Sequence, residues 1–480
     1  MHLKVIMRGV GALSMGFSLT LLAPIGVSLF YHDGELWHLT ASFAAIFLCG
    51  AILWMLSPGP HIKLRRRDGF LVVALFWLLL GLLGIFPFLF GLRMPFTDAL
   101  FESVSGLTTT GATVISGLDR LPRSLLLYRQ ELQWFGGMGL VVLAVAVMPM
   151  LGIGGMSLYR AEVPGPLKEE KLTPRLAHSA RILWTLYIGM TLLCALAFWL
   201  AGMTPFDAIA HSLATVSTGG FSTHDASLGY FHSPVVELIA ALFMLLGGIN
   251  FSIHYLAWHG RDPRHYWRDV EVRTFLLFTL AMILTVTLAL KRLEGEATIV
   301  ALRQSLFEVI SVVTSTGFGI SDFSTWPNFL PVLMILIGFI GGCGGSTAGG
   351  MKVMRVLALA KLGYREIIRL LHPQGLFPTR ISGRPLQEGI AQAIWGFFSL
   401  YLFTFVLLML IMMAAGLDQL TAFSAIATCM NNLGPGLGSV AQSFASLTAT
   451  EKLTAVAAML LGRLEIFTLL VLLQPAFWRE

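Results

Sequence analysis

Long apolar runs separated by short polar segments dominate this chain, and many of them exceed 18 residues. A helix of that length crosses a hydrocarbon core of ~30 Å. Two leading runs predict helices over 7–31 and 37–57, joined by a turn that carries Asp33 and Glu35. One pattern then occurs four times: a spanning helix, a re-entrant segment, and a second spanning helix. The first unit reads 70–92, 95–118 and 125–151, and the second 180–201, 204–225 and 233–258. The third reads 300–325 between helices 274–292 and 329–360, and the fourth 418–440 between 391–415 and 453–474. The expected fold is an all-α polytopic membrane protein with about ten spanning helices. Two leading helices (1–58) precede four helix–pore-loop–helix repeats around a central pore, divided at 59–155, 156–262, 263–365 and 366–480.

The re-entrant segments of the first, second and fourth units carry helix-start signals. Thr97-Asp98 and Thr204-Pro205-Phe206-Asp207 supply a cap or an early proline, then an acid in the first turn. Asp418 and Thr421 do the same in the fourth unit. A short helix would then stop at a glycine loop: Thr109-Thr110-Gly111, Ser217-Thr218-Gly219, Ser315-Thr316-Gly317 and Asn432-Leu433-Gly434. Phe101-Glu102 and Phe307-Glu308 hold matching positions ahead of Gly111 and Gly317, which is the weak internal similarity a repeated membrane fold leaves.

Composition agrees with the pattern. The chain is 56% hydrophobic and 12% charged, with a mean hydropathy of +0.78, against roughly 25% charged residues in soluble domains. The first apolar stretch is too long for the core of a signal peptide and reads as a retained helix. Cys49, Cys194, Cys343 and Cys429 all lie in apolar segments or membrane-depth loops, with no disulfide or zinc spacing. The net charge of +6 is not a nucleic-acid footprint. Most Lys and Arg cluster in four connections, 59–69, 158–181, 259–273 and 352–384, with Lys4, Arg8 and Arg479 at the ends. That asymmetry follows the positive-inside rule and places the four connections and both termini in the cytoplasm.

Irregular backbone at membrane depth is tolerated only where protein or water surrounds it. Four such loops therefore converge on one aqueous axis in this reading. Short helices ending there direct free carbonyls and a negative dipole end toward it, and carbonyl oxygens can replace the hydration shell of an alkali ion. Glycine supplies positive φ and removes the Cβ that would narrow the path. Small residues also serve close helix packing, but four loops at near-regular spacing favour a cation path. The amide-rich fourth loop, Asn431-Asn432-Leu433-Gly434-Pro435-Gly436, departs most from the others.

These loops, with Ser105-Gly106-Leu107-Thr108-Thr109-Thr110-Gly111-Ala112-Thr113, Ser217-Thr218-Gly219-Gly220-Phe221 and Ser315-Thr316-Gly317-Phe318-Gly319, resemble the Trk/Ktr/HKT superfamily of potassium transporters over almost the whole chain. The two leading helices favour its TrkH/TrkG type. The resemblance implies a selectivity filter built from Thr109, Thr110, Gly111, Ser217, Thr218, Gly219, Ser315, Thr316, Gly317, Asn432, Leu433 and Gly434. Glycine in all four loops goes with potassium preference in that family, so Gly111 favours potassium over sodium. It also implies a homodimer in membrane lipid and a cytoplasmic TrkA-type regulatory partner with Rossmann-like domains that bind NAD or ATP/ADP. No cofactor is expected in this chain, which lacks a Walker A motif and a large soluble domain. Potassium would be its substrate.

The run 341–350 holds six glycines, Gly341, Gly342, Gly344, Gly345, Gly349 and Gly350. At ~1 kcal/mol each relative to alanine, they break the helix of the third unit. The resemblance places this segment below the filter as a gate. Arg463, read as a mid-helix charge, becomes a positive barrier beside it, since a charge at that depth faces a pore or a partner. Lys352 is either a second barrier or the cytoplasmic rim. Glu102 and Glu308 either draw cations or, as the better reading, hydrogen-bond the loops; His211 and His254 read as structural. An organic-solute transporter with inverted halves would need repeats of opposite direction. An intramembrane enzyme would need a catalytic constellation at one depth, and none stands out.

Overall fold

A computed structural model describes residues 3–57, 66–146 and 176–479. Parts of the connections 59–69 and 158–181, the end of the helix expected over 125–151 and the divisions near 58 and 155 lie outside the described residues. Helices α1 (Leu3–Ser18) and α2 (Leu22–Tyr31) form one leading span with a 3₁₀ turn at Leu19–Leu21. α3 (Leu36–Met55) packs back against α1, where Gly11 and Gly50 meet each other's backbone.

The first unit follows with α4 (Arg66–Leu83), α5 (Phe86–Phe90), the re-entrant α6 (Phe96–Leu107) and α7 (Arg123–Ala146). The second has α8 (Leu176–Leu200), the re-entrant α9 (Pro205–Val216), α10 (Pro234–Gly247) and α11 (Phe251–His259). After the short α12 (Arg264–Arg268), the third has α13 (Val270–Leu293), the re-entrant α14 (Thr298–Val313), α15 (Leu330–Gly338) and α16 (Val353–Leu371). A two-residue β pair, Arg380–Ile381 with Arg384–Pro385, leads to the fourth. That unit has α17 (Glu388–Ala414), the re-entrant α18 (Gln419–Met430), α19 (Ala449–Arg463) and α20 (Phe467–Leu473), then a terminal turn α21 (Pro475–Trp478).

The chain is thus an all-α polytopic membrane protein. Among the described residues six helices are long and apolar enough to span, and two bent pairs bring the number to eight. Their outward faces carry exposed leucines, such as Leu192, Leu280, Leu402 and Leu410, as lipid-facing surfaces do.

Two of the four re-entrant helices start on side-chain caps. Thr204 accepts from the Asp207 amide and Asp418 from the Thr421 amide, satisfying groups a helix start otherwise leaves open. In the first unit Pro95, not Thr97, is the capping residue, and Asp98 sits in the first turn. Three of these helices have 12 residues and α14 has 16.

The second helices depart from expectation. Not only the third unit's is broken: α10 and α11 bend by 97°, and α19 and α20 by 111°. In α10–α11 the continuous apolar run conceals a stop at Gly247-Gly248 and a restart capped by Asn250, whose side chain accepts from Ser252 at 2.8 Å. In α19–α20 the chain turns through Glu465 and Ile466, both at φ 54°. Arg463 is therefore the last residue of a helix rather than a mid-helix charge.

Candidate functional site

The four loops leave their helices with one backbone geometry. The residue after the last helical one, Thr108, Ser217, Thr314 or Asn431, is the C-cap. The next, Thr109, Thr218, Ser315 or Asn432, has φ between 51° and 54°. The amide after that returns to the helix five residues back, as Thr110 to Ser105, Gly219 to Ala214, Thr316 to Ser311 and Leu433 to Thr428. The third position is again left-handed: Gly111 (φ 78°), Gly220 (φ 80°), Gly317 (φ 84°) and Gly434 (φ 97°). This corrects the register of the second loop by one residue. Gly220, not Gly219, matches the other three glycines, Gly219 takes the place of Thr110, and Ser217 is the helix cap. The tandem Gly219-Gly220 hides this in the sequence, because either glycine fits the composition.

The loops close into a ring. A Cβ on Gly111 would overlap the carbonyl oxygen of Gly219, one on Gly220 that of Thr316, and one on Gly317 that of Leu433. A Cβ on Gly434 would come within 2.7 Å of the Thr110 carbonyl, returning to the first loop. An outer tier repeats the order. The Asp225 carboxylate accepts from the Gly117 and Leu118 amides at 3.0 and 3.1 Å. The Gly229 amide donates to the Gly319 carbonyl at 3.2 Å and the Phe444 amide to the Thr113 carbonyl at 2.8 Å, while the Gln442 amide donates to Asp322 at 3.3 Å. Above the ring lies a cavity of about 510 Å³, lined by Gly111, Gly220, Gly317 and Gly434 among others.

Buried side chains hold these loops from behind. Glu102 accepts from Thr113 Oγ1, the Val114 amide and Arg129 Nε at 2.9–3.1 Å. Glu308 accepts from the Ile320 and Ser321 amides at 2.8 and 2.9 Å. Both therefore support the loops, each accepting from at least one loop amide. His211 holds the same step of α9: Nδ1–H donates to the Asp207 carbonyl, so Nε2 accepts from Ser222 Oγ, each at 2.9 Å. His254 likewise has two partners, Tyr266 Oη and the Leu246 carbonyl.

Sequence reasoning missed the supports on α7. Arg129, fully buried, joins the first loop to the second through Glu102, Thr113 and the Ser222 carbonyl, with its guanidinium 4.1 Å from the Phe221 ring. Gln133 donates to the Gly219 carbonyl at 2.6 Å and accepts from the Phe221 amide at 3.0 Å. The signal was Arg129-Gln130-Glu131-Leu132-Gln133, four polar residues in five positions of an apolar helix.

The glycine-rich segment 341–350 lies against the ends of these helices. Thr347 Oγ1 donates to the Val216 carbonyl at 3.1 Å and sits 3.2 Å from Thr218 Oγ1. The Gly349 amide donates to Ser315 Oγ, and a Cβ on Gly349 would overlap the Asn431 carbonyl. Arg463, 3% exposed, donates from Nη1 to the Thr347 carbonyl at 3.0 Å and from Nη2 to the Gly136 carbonyl of α7 at 3.1 Å. The segment and Arg463 together thus reach all four units. Glu465 pairs not with Arg463 but with Arg355, at 2.7 Å. Lys352 is buried, with Nζ on the Ala348 carbonyl, so it is no exposed rim.

The family model described as "Cation transport protein", TrkH, matches residues 37–479. The chain is 50% identical over 485 residues to the Trk system potassium uptake protein TrkH of Vibrio parahaemolyticus, covering all of both chains. It is 49% identical to TrkH of Escherichia coli K12, again over the full length of both. Against TrkG of the same organism it is 41% identical, over all of this chain and 99% of the relative. Among solved structures, that of the potassium transporter TrkH from Vibrio parahaemolyticus superposes with a TM-score of 0.93 at 48% identity over the whole of both chains. The ring of four loops, the multi-pass helical fold and these likenesses agree: the chain belongs to the TrkH family of cation transport proteins, a transporter family and not one of enzymes.

Proposed function

We propose that this chain takes up potassium across a bacterial cytoplasmic membrane, with the four-loop ring as its selectivity filter. The observation that carries the reading is the cyclic approach of each third-position glycine to the middle carbonyl of the next loop. A dehydrated alkali ion needs several oxygen ligands at once, and four loops of one geometry around one axis supply them without a fixed charge. The names of the relatives, potassium uptake proteins of the Trk system, favour potassium as the ion. The filter triplets are Thr109-Thr110-Gly111, Thr218-Gly219-Gly220, Ser315-Thr316-Gly317 and Asn432-Leu433-Gly434.

Segment 341–350 is the gate in this reading. It lies against the filter's supporting helices and is pinned by Arg463, whose charge opposes a cation from below. The membrane potential, ~2.3 kcal/mol per charge per 100 mV, drives entry once the segment moves. The basic connections face the cytoplasm, both termini with them, and offer a surface to a TrkA-type nucleotide-binding partner; the chain works as a homodimer.

Rubidium and sodium flux into liposomes tests the reading. Wild type is expected to pass rubidium in preference to sodium, and removal of residues 345–348 to raise rubidium flux in the absence of any partner. Equal passage of both ions would refute the filter. Unaltered or lowered flux in a folded deletion would make the segment a passive kink.

A further inference from the structure

Several hydrogen bonds hold segment 341–350 to the break between α10 and α11. Cys343 and Thr347 donate their amides to the Gly248 and Gly247 carbonyls at 2.9 and 3.2 Å, and Phe251 donates to the Gly345 carbonyl at 3.2 Å. Glu271 approaches from elsewhere. It lies in the first turn of α13, two residues after Asp269, which caps that helix by accepting from the Val272 amide at 2.9 Å. Its side chain is buried, and a single oxygen, Oε1, accepts from two amides: Gly344 at 2.8 Å and Met354 at 3.2 Å.

One of those amides lies inside the segment and the other just beyond it. Gly344 is in the middle of the glycine run, and Met354 is in the first turn of α16, past its end. One carboxylate oxygen therefore ties the segment to the helix that follows it and anchors both to α13. Bonds from an amide to a carboxylate are about twice as strong as neutral ones. Negative charge at the start of α16 also suits the helix dipole, and Lys352, its N-cap, offers no side-chain cap. A segment so rich in glycine has little conformational preference of its own, so its position is set by such ties.

We propose that Glu271 is a positioning residue that clasps segment 341–350 in its blocking place, so that loss of the clasp opens the path without altering the filter. This rests on the gate reading above. Arg463 opposes the ion by charge, whereas the role proposed for Glu271 is to hold backbone. Glu271 also lies within the basic connection 259–273, where α12 is fastened to α11 through Tyr266 and His254 at 2.9 Å.

The test uses the full-length protein in liposomes, in a Cys49→Ala, Cys194→Ala, Cys429→Ala background that leaves Cys343 as the reporter. Cys343 is 0% exposed in the closed segment. Rubidium and sodium flux is measured together with the rate at which a hydrophilic methanethiosulfonate labels Cys343. For Glu271→Ala, both rubidium flux and labelling are expected to rise about tenfold or more, as loss of two charge-assisted bonds implies. The rubidium-to-sodium ratio should stay at the wild-type value. Glu271→Gln keeps an oxygen acceptor at the same length and should return both readouts most of the way to wild type. Glu271→Asp, too short to reach both amides, should fall between and serves if the alanine variant fails to fold.

Wild-type flux and labelling in Glu271→Ala or Glu271→Asp, beside raised flux in the 345–348 deletion, would overturn the clasp and leave the gate standing. Glutamine behaving like alanine would also overturn it. No rise in the deletion itself would instead strike the gate reading.

Discussion

A carboxylate beside an ion path either draws cations or holds backbone, and its partners decide which. Glu102 and Glu308 are at most 1% exposed and accept from amides, a hydroxyl and, for Glu102, Arg129. Removing one member of the Glu102–Arg129 pair would strand a buried charge at a cost of about 3–5 kcal/mol, which suits a fixed support. His224, at the outer mouth, behaves differently. Burial alone would lower its pKa, but the nearby Asp207 and Asp119 carboxylates outweigh burial and raise it above the ordinary imidazole value. Its Nδ1 lies 2.5 Å from Asp119 of the first loop and its Nε2 3.6 Å from Asp207 of α9. Tyr230 stacks on the ring and His211 lies 6.4 Å away.

Because the folded pKa is raised, this latch stabilises fully below the unfolded value of ~6.5 and is lost as pH rises through the folded value. Thermal unfolding in detergent should therefore favour wild type over His224→Gln at pH ~5.5, with the difference vanishing by pH ~9. A gap that is constant with pH would show that the imidazole acts by packing alone. None of this latch was legible in the sequence, since Asp119 and His224 are far apart along the chain and neither sits in a motif. The loop residues were legible, because positive φ and small size restrict which residues can occupy such turns.

At the scale of elements, the re-entrant helices and the break at 341–350 could be read ahead of the structure, whereas the breaks in the second helices of the second and fourth units could not. The expected single helix over 233–258 is uniformly apolar around Gly247-Gly248, and hydropathy does not register a bend. What the second helices of the first, second and fourth units share, broken or not, is a glycine packed against the end of the re-entrant helix. A Cβ on Gly462 would overlap the Met430 carbonyl, and one on Gly136 would overlap the Leu107 carbonyl. Gly247 lets its helix come within 3.1 Å of the Val216 carbonyl by the same measure. Close backbone approach of this kind is how membrane helices associate without a hydrophobic driving force.

A contrast follows. Gly462→Ala and Gly136→Ala must displace backbone and should lower the unfolding temperature in detergent. Gly189→Ala and Gly396→Ala, in α8 and α17 with nothing within 4 Å of a new Cβ, should hold or raise it, because alanine in a helix gains about 0.5–1 kcal/mol over glycine. Equal behaviour of the two pairs would mean that the close approaches carry no packing role.

At the scale of the whole molecule, four units that differ in sequence converge on one backbone ring, and the last closes on the first. α19 packs on α6, Lys452 pairs with Asp98 at 2.8 Å, and Phe444 bonds to Thr113 at 2.8 Å. Family and fold were legible from the loops and their repetition, and so was the meeting of Arg463 with segment 341–350. The register of the second loop was not, because adjacent glycines leave it free to slide by one. That register also gives the most direct measurement. In liposomes, Gly111→Ser, Gly220→Ser, Gly317→Ser and Gly434→Ser each add a side chain at a left-handed position facing a neighbouring carbonyl. Each should reduce rubidium preference over sodium. Gly219→Ser meets the Gln133 side chain rather than a neighbouring loop's carbonyl and should lower that preference less than the four ring substitutions do. Preference lost at Gly219 and kept at Gly220, or kept at all four ring positions, would contradict a filter made from this ring.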